Sequence, residues 1–179
     1  MNTWIALFRG INVGGANMLP MKQLVLLLEE NACSDVRTYI QSGNALFRSR
    51  LADARGVERR IMAAVAKSCG FEPRVIALTL RELEKAAAGN PFPRAKEDPK
   101  SVHLFFLAAA PKKADLKGLE ALKKGAEQFE LKGKVFYLHT PDGFGKSKLA
   151  ERSERLLGVP ATARNWRTVT TLIEMAREY

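Results

Sequence analysis

Residues 9–21 read Arg9-Gly10-Ile11-Asn12-Val13-Gly14-Gly15-Ala16-Asn17-Met18-Leu19-Pro20-Met21, a long glycine-rich turn joining an apolar strand to an apolar helix. Before it, residues 3–8 carry apolar side chains at both parities, Ile5 and Leu7 on one and Trp4, Ala6 and Phe8 on the other. That is the pattern of a central strand covered on both faces. After it, Pro20 suits the first turn of a helix, and Met21, Leu24, Val25 and Leu28 recur at helical spacing. Glycines allow positive φ and close approach of the main chain to a ligand, and free N–H groups at a helix start favour an anion. The turn is therefore a candidate binding site, with Arg9, Asn12, Gly14, Gly15 and Asn17 as its residues.

Further along the chain, residues 36–41 alternate, with Val36, Thr38 and Ile40 on a core face and Arg37, Tyr39 and Gln41 on one that is open or lines a site. Ser42-Gly43 is a two-residue turn signal into a strand over 44–48, so a hairpin is expected. A helix over 53–68, stopped by Gly70, leads to a strand over 74–78. The order βαββαβ is that of the ferredoxin-like unit. Thr79 and Glu82 have capping-box spacing for a short helix, which Asn90-Pro91-Phe92-Pro93 cannot continue. The polar stretch 90–100 then reads as a linker or crossover. Beyond it the order repeats: a strand over 102–107, a helix marked by Leu116, Leu119 and Leu122, a hairpin turning at Lys132-Gly133, a helix over 147–157 and a short strand over 160–164. A last helix spaces Trp166, Val169, Ile173 and Ala176. The expectation is an α+β chain of two tandem ferredoxin-like βαββαβ halves with antiparallel sheets, 1–89 and 101–179, the second carrying the C-terminal helix.

Composition fits a globular protein with a core: 179 residues, 46% hydrophobic. Its 29 Lys and Arg against 19 Asp and Glu give a net charge of +10, which favours acidic partners such as phosphates, nucleic acid or anionic membrane. The charges are scattered and form no basic tail. Cys33 and Cys69 have no metal-ligand spacing and no disulfide pattern, so neither a zinc site nor a disulfide framework is expected. The apolar run before Arg9 is too short for a signal peptide core or a membrane span, and a cytoplasmic setting without membrane partners is the default expectation.

Four further motifs bear on function. The first turn nearly meets the dinucleotide fingerprint, with Gly10 and Gly15 in place but Asn12 where the middle glycine belongs, and a hairpin follows where a parallel unit is required. The structural alternative is a tight connection in which Asn12 and Asn17 cap the turn. Gly143-Phe144-Gly145-Lys146-Ser147 sits between a strand and a helix like a phosphate loop, but Thr140 stands where the first Walker glycine belongs. Lys146, Ser147 and Lys148 are candidate anion contacts, or Ser147 is an N-cap beside solvated lysines. Arg164 and Asn165 are candidates in Thr162-Ala163-Arg164-Asn165-Trp166-Arg167, where Trp166 follows the helix's apolar spacing and Asn165 is equally an N-cap. Gln41, Ser42 and Asn44 on the hairpin complete the candidate set, their alternative being turn chemistry. His103 and His139 lie on strands with no acid or nucleophile beside them in sequence.

RGINVGG at 9–15, TYIQSGN at 38–44, NPF at 90–92, SKL at 147–149 and ATARNW at 161–166 together resemble the bacterial "domain of unknown function 1697" family, over nearly the whole chain. The resemblance implies an α+β fold of two ferredoxin-like halves and a bacterial cytosolic setting, and no reaction.

Residues 9–21, 39–44, 145–149 and 162–167 contain no Asp, Glu, His or Cys, the usual sources of a general base, nucleophile or metal ligand. Binding is favoured over catalysis. The leading expectation is a phosphate-bearing small molecule or nucleotide held between the glycine-rich turn and the Arg164-Asn165 segment, with no cofactor identified. One alternative is nucleic-acid binding, since the RNA-recognition module shares the element order, although the third strand offers only Phe47 for stacking. The other is phosphoryl or nucleotidyl transfer with Lys146 and the arginines stabilising charge.

Overall fold

The computed structural model describes residues 1–179. The elements run β1 (Asn2–Arg9), α1 (Met21–Glu30), β2 (Cys33–Tyr39), β3 (Asn44–Ser49), α2 (Ala54–Cys69), β4 (Arg74–Leu78), α3 (Leu80–Ala88), β5 (Val102–Leu107), α4 (Leu116–Leu122), β6 (Gln128–Lys132), β7 (Val135–His139), α5 (Lys148–Leu157), β8 (Ala161–Asn165) and α6 (Trp166–Arg177). They form two four-stranded sheets, ordered β2-β3-β1-β4 and β6-β7-β5-β8, with every pairing antiparallel. Shifting each strand number of the first sheet by four gives the second. The fold is mixed α+β with two tandem halves.

By internal packing the chain divides into residues 1–83 with 172–179, and residues 84–171. In the first unit Trp4, Ala6 and Phe8 face Leu24 and Leu28 of α1 and Val57, Ile61 and Val65 of α2 in one buried core. Ile5 and Leu7, of the opposite parity, are fully buried as well, which is why β1 lacks the polar alternation of a one-sided strand. Asp53 caps α2 by accepting from Gly56 N, and Gly70 closes it at φ +75. In the second unit Phe105, Leu107, Phe136 and Leu138 pack with Leu119 of α4 and Leu149 and Leu157 of α5. Tyr137 lies on the other face of that sheet, its hydroxyl donating to Ala86 O of α3 at 2.7 Å.

The structure departs from the sequence-based expectation in several details. β2 begins at Cys33, ahead of residue 36, because a bulge between Ser34 and Arg37, with Asp35 at φ +53, breaks the alternation there. The hairpin connection is four residues, Ile40 to Gly43, instead of two, and Ile40 is 48% exposed at φ +51 and not a core residue. The last turns of α6 and the residues after it pack in the first unit, not the second. There the Tyr179 hydroxyl donates to Asp35 O at 2.5 Å with Leu46 O at 3.1 Å, Arg48 donates to Tyr179 O, and Arg37 pairs with Glu178 at 2.7 Å. The 90–100 stretch belongs to the compact second unit, where Pro93–Ala95 make a single 3₁₀ turn and Ala95 is buried.

Candidate functional site

The glycine-rich turn is a small hairpin. Val13 and Ala16 bridge, Ala16 N donating to Val13 O at 3.0 Å, around Gly14 at φ +59 and Gly15 at φ +77. Two consecutive positive φ values define a type I′ turn, which glycine adopts without the Cβ penalty. A Cβ placed on Gly10, Gly14 or Gly15 would meet nothing within 4 Å. These glycines serve backbone conformation and leave open space over an exposed main chain.

The two asparagines hold the turn from beneath. Asn12 Nδ2 donates to Leu19 O and to Gln41 O, each at 2.9 Å, while its Oδ1 accepts from Leu19 N at 2.7 Å. Asn17 Nδ2 donates to Gly10 O at 2.8 Å, and Asn12 N donates to Asn17 O at 3.1 Å. Both residues sit at positive φ, 54° and 49°, where asparagine is among the best-tolerated side chains. Through Gln41 O the turn is tied to the β2–β3 connection, and Phe8 N donates to Gly43 O at 2.8 Å. Asn44, fully buried, donates to Tyr39 O at 2.9 Å with Ser42 Oγ at 3.5 Å. Val13, Met18 and Ile40 stand 68%, 58% and 48% exposed around this braced backbone, an apolar rim beside exposed amides. Ile40 is the outlier of the group: a β-branched residue at positive φ is strained and persists only where its surroundings impose it.

Arg9 closes β1 opposite Arg74 of β4. Burial, and then the like charge of Arg74, push its pKa below the ordinary arginine value.

The remaining candidates belong to the second unit. Ser147 is the N-cap of α5, accepting from Ala150 N at 3.0 Å, and Lys146 and Lys148 beside it are exposed. Asn165 caps α6 by accepting from Thr168 N at 2.9 Å. Arg164 is only 8% exposed, its Nη1 donates to Ala163 O at 2.8 Å, and burial pushes its pKa down to about 10. Structure thus brings Arg9, Asn12, Gly14, Gly15, Asn17, Gln41, Ser42 and Asn44 into one braced region of the first unit. Lys146, Ser147 and Lys148 form a separate helix start, and Arg164 and Asn165 end β8.

Two features escaped the sequence. His103 stacks on Phe144 with ring centroids 3.8 Å apart, its Nδ1 is buried without a partner, and burial pulls its pKa down to about 4. A cleft of about 500 Å³ opens at the other end of β1 from the turn, lined by Met1, Ala32, Cys33, Ser34, Arg50, Leu51 and Arg60. Its sequence signal is the arginine density of 50–60, with Arg50, Arg55, Arg59 and Arg60. No group of three or more His, Cys, Asp or Glu side chains gathers to hold a metal ion, and no helix is long and apolar enough to cross a membrane. Phe47, the one aromatic on β3, is fully buried in the helix-side core.

These features define a two-unit α+β protein with a glycine-rich, amide-braced turn and no acid, base or nucleophile among the turn's own residues. The chain belongs to the family described as "Protein of unknown function (DUF1697)", whose model matches residues 1–137. That span includes the motifs at 9–15, 38–44 and 90–92; those at 147–149 and 161–166 lie beyond it. Among solved structures, a conserved bacterial protein, SP0830 from Streptococcus pneumoniae, is similar at TM-score 0.72 and 25% identity, over 97% of this chain and 98% of that one. No curated protein matches.

Proposed function

We propose that the protein binds a phosphate-bearing small molecule, a nucleotide by class, at the Gly10–Met18 turn of the first unit, and that each half is a ferredoxin-like scaffold. The strand order β2-β3-β1-β4, repeated as β6-β7-β5-β8, supports the scaffold reading. The observation that carries the binding reading is the exposed Gly14-Gly15 type I′ turn, held from behind by Asn12 and Asn17 amides. Preorganised main-chain N–H groups take an anion without an ordering cost at the moment of binding. Val13 and Met18, with Ile40 on the hairpin that Asn12 ties to the turn, offer apolar surface to the organic part of such a ligand.

Thermal unfolding against nucleotides and sugar phosphates tests this. A ligand at 100 times its dissociation constant adds about 2.7 kcal/mol, and Gly14→Val, whose new side chain projects into the open space above the turn, abolishes the gain. Absence of stabilisation by every compound of the panel refutes the reading. So does single-stranded RNA binding near physiological salt with a slope of about four or more phosphates, which replaces the small ligand by nucleic acid.

A further inference from the structure

The geometry points to a second ligand site in the first unit: the cleft between Arg50 and Arg60 holds the oxyanion of a small carboxylate or phosphate compound, whose apolar part lies on Leu51. This site is independent of the glycine-rich turn, since the two lie at opposite ends of β1, eight residues and roughly 25 Å of strand apart.

Its walls come from four parts of the chain, with Met1 ahead of β1 as the first. Cys33 at the start of β2 pairs with Ser49 at the end of β3, and Ser49 pairs on its other side with Asn2 of β1. That register sets Ala32, Cys33 and Ser34 beside Arg50 and Leu51, and α2 adds Arg60. The floor is fixed: Leu51 O accepts from Asn2 Nδ2 at 3.0 Å and from Trp4 Nε1 at 3.2 Å, and Leu51 N donates to Ser49 Oγ at 3.3 Å. A volume of about 500 Å³ falls within the range of small-molecule sites.

The charge in the cleft is of one sign. Arg50 and Arg60 form no ion pair in the structure and both are exposed. No acidic side chain lines the cleft. Two guanidiniums without carboxylate partners at one opening present the planar donor forks that match carboxylate and phosphate oxygens. Burial pushes the Cys33 thiol up, against the opposing pull of Arg60, so at neutral pH it is a thiol and part of the wall, not an anion competing for the arginines.

The test is a residue-resolved amide chemical-shift titration of the full chain with inorganic phosphate, pyrophosphate, succinate and benzoate in turn. The expected result is saturable movement of the Ser34 and Leu51 amides by at least one of them, and the compounds that act assign phosphate or carboxylate as the recognised group. Arg50→Gln with Arg60→Gln weakens that binding at least tenfold. Both side chains are exposed, so the fold persists, and Arg60→Lys keeps charge without the fork and weakens it less. Gly14→Val leaves the cleft unaffected, which separates failure here from failure at the turn. Shifts that rise linearly and spread over surface lysines and arginines, no movement at Ser34 and Leu51, or unchanged affinity in the double variant would each overturn the proposal.

Discussion

Replacing Asn12 by Asp removes the bracing amide's donors while keeping the side chain's size and shape, and sets a carboxylate charge against the same carbonyls. The two side chains are nearly isosteric, both tolerate the φ of +54 found there, and both retain an oxygen for Leu19 N. What is lost is the pair of Nδ2–H donors to Leu19 O and Gln41 O, both at 2.9 Å. Each net hydrogen bond is worth about 1 kcal/mol, and a carbonyl left facing an oxygen adds its own desolvation cost. Leu19 is fully buried, so water does not easily replace the missing donor. The sum is about 2–4 kcal/mol, or roughly 4–16 °C in midpoint for a chain of this size. Thermal and guanidinium unfolding followed by circular dichroism measure it, and amide shifts at Gln41 report whether the turn has separated from the hairpin. An Asn12→Asp protein melting within about 2 °C of the parent would refute the claim that this amide holds the turn.

Gly43→Ala places a Cβ 2.5 Å from Ile11 Cδ1 and 2.7 Å from Phe8 Cβ at φ +87, whereas Gly14→Ala at φ +59 meets nothing within 4 Å. The first is therefore expected to cost at least about 2 kcal/mol more than the second, and equal denaturant midpoints would contradict the packing described. His103 has a folded pKa of about 4 against an ordinary 6.5, so between those pH values the unfolded chain binds more protons. Stability is complete above pH 6.5 and falls by up to about 3 kcal/mol as pH drops toward 4; a His103→Phe variant showing the same acid-limb slope as the parent would rule this out.

The order of elements was legible because it is written locally: both parities apolar in 3–8 and 102–107, helical spacing in 53–68, and Gly70 at a helix end. Ile40 misled because the Val36, Thr38, Ile40 alternation is genuine, while the positive φ that turns Ile40 out of the strand arises from the four-residue connection to Gly43. The asparagines were found with two roles open, capping the turn or contacting a ligand, and the structure shows the capping role. An amide that braces a turn and an amide that grips a ligand are the same residue type in the same place, and only the partners at Leu19, Gln41 and Gly10 distinguish them. Ser147 and Asn165 carried the same two readings, and their bonds from Ala150 N and Thr168 N are those of the helix caps that the sequence offered as the alternative. The cleft was hidden because Cys33, Arg50 and Arg60 meet only once β2 pairs with β3, and the packing of Tyr179 in the first unit depends on contacts more than 130 residues apart.

If the Gly14-Gly15 backbone is what meets a phosphate group, titrating labelled protein with adenosine and guanosine monophosphates moves those two amides. Saturable shifts are expected at Gly14 and Gly15, with smaller ones at Val13 and Ile40, and all of them are lost in Gly14→Val while the rest of the spectrum stays folded. Gly14 and Gly15 amides that remain unmoved while a nucleotide binds elsewhere, or shifts of the same size and affinity at Gly15 in Gly14→Val, would contradict it.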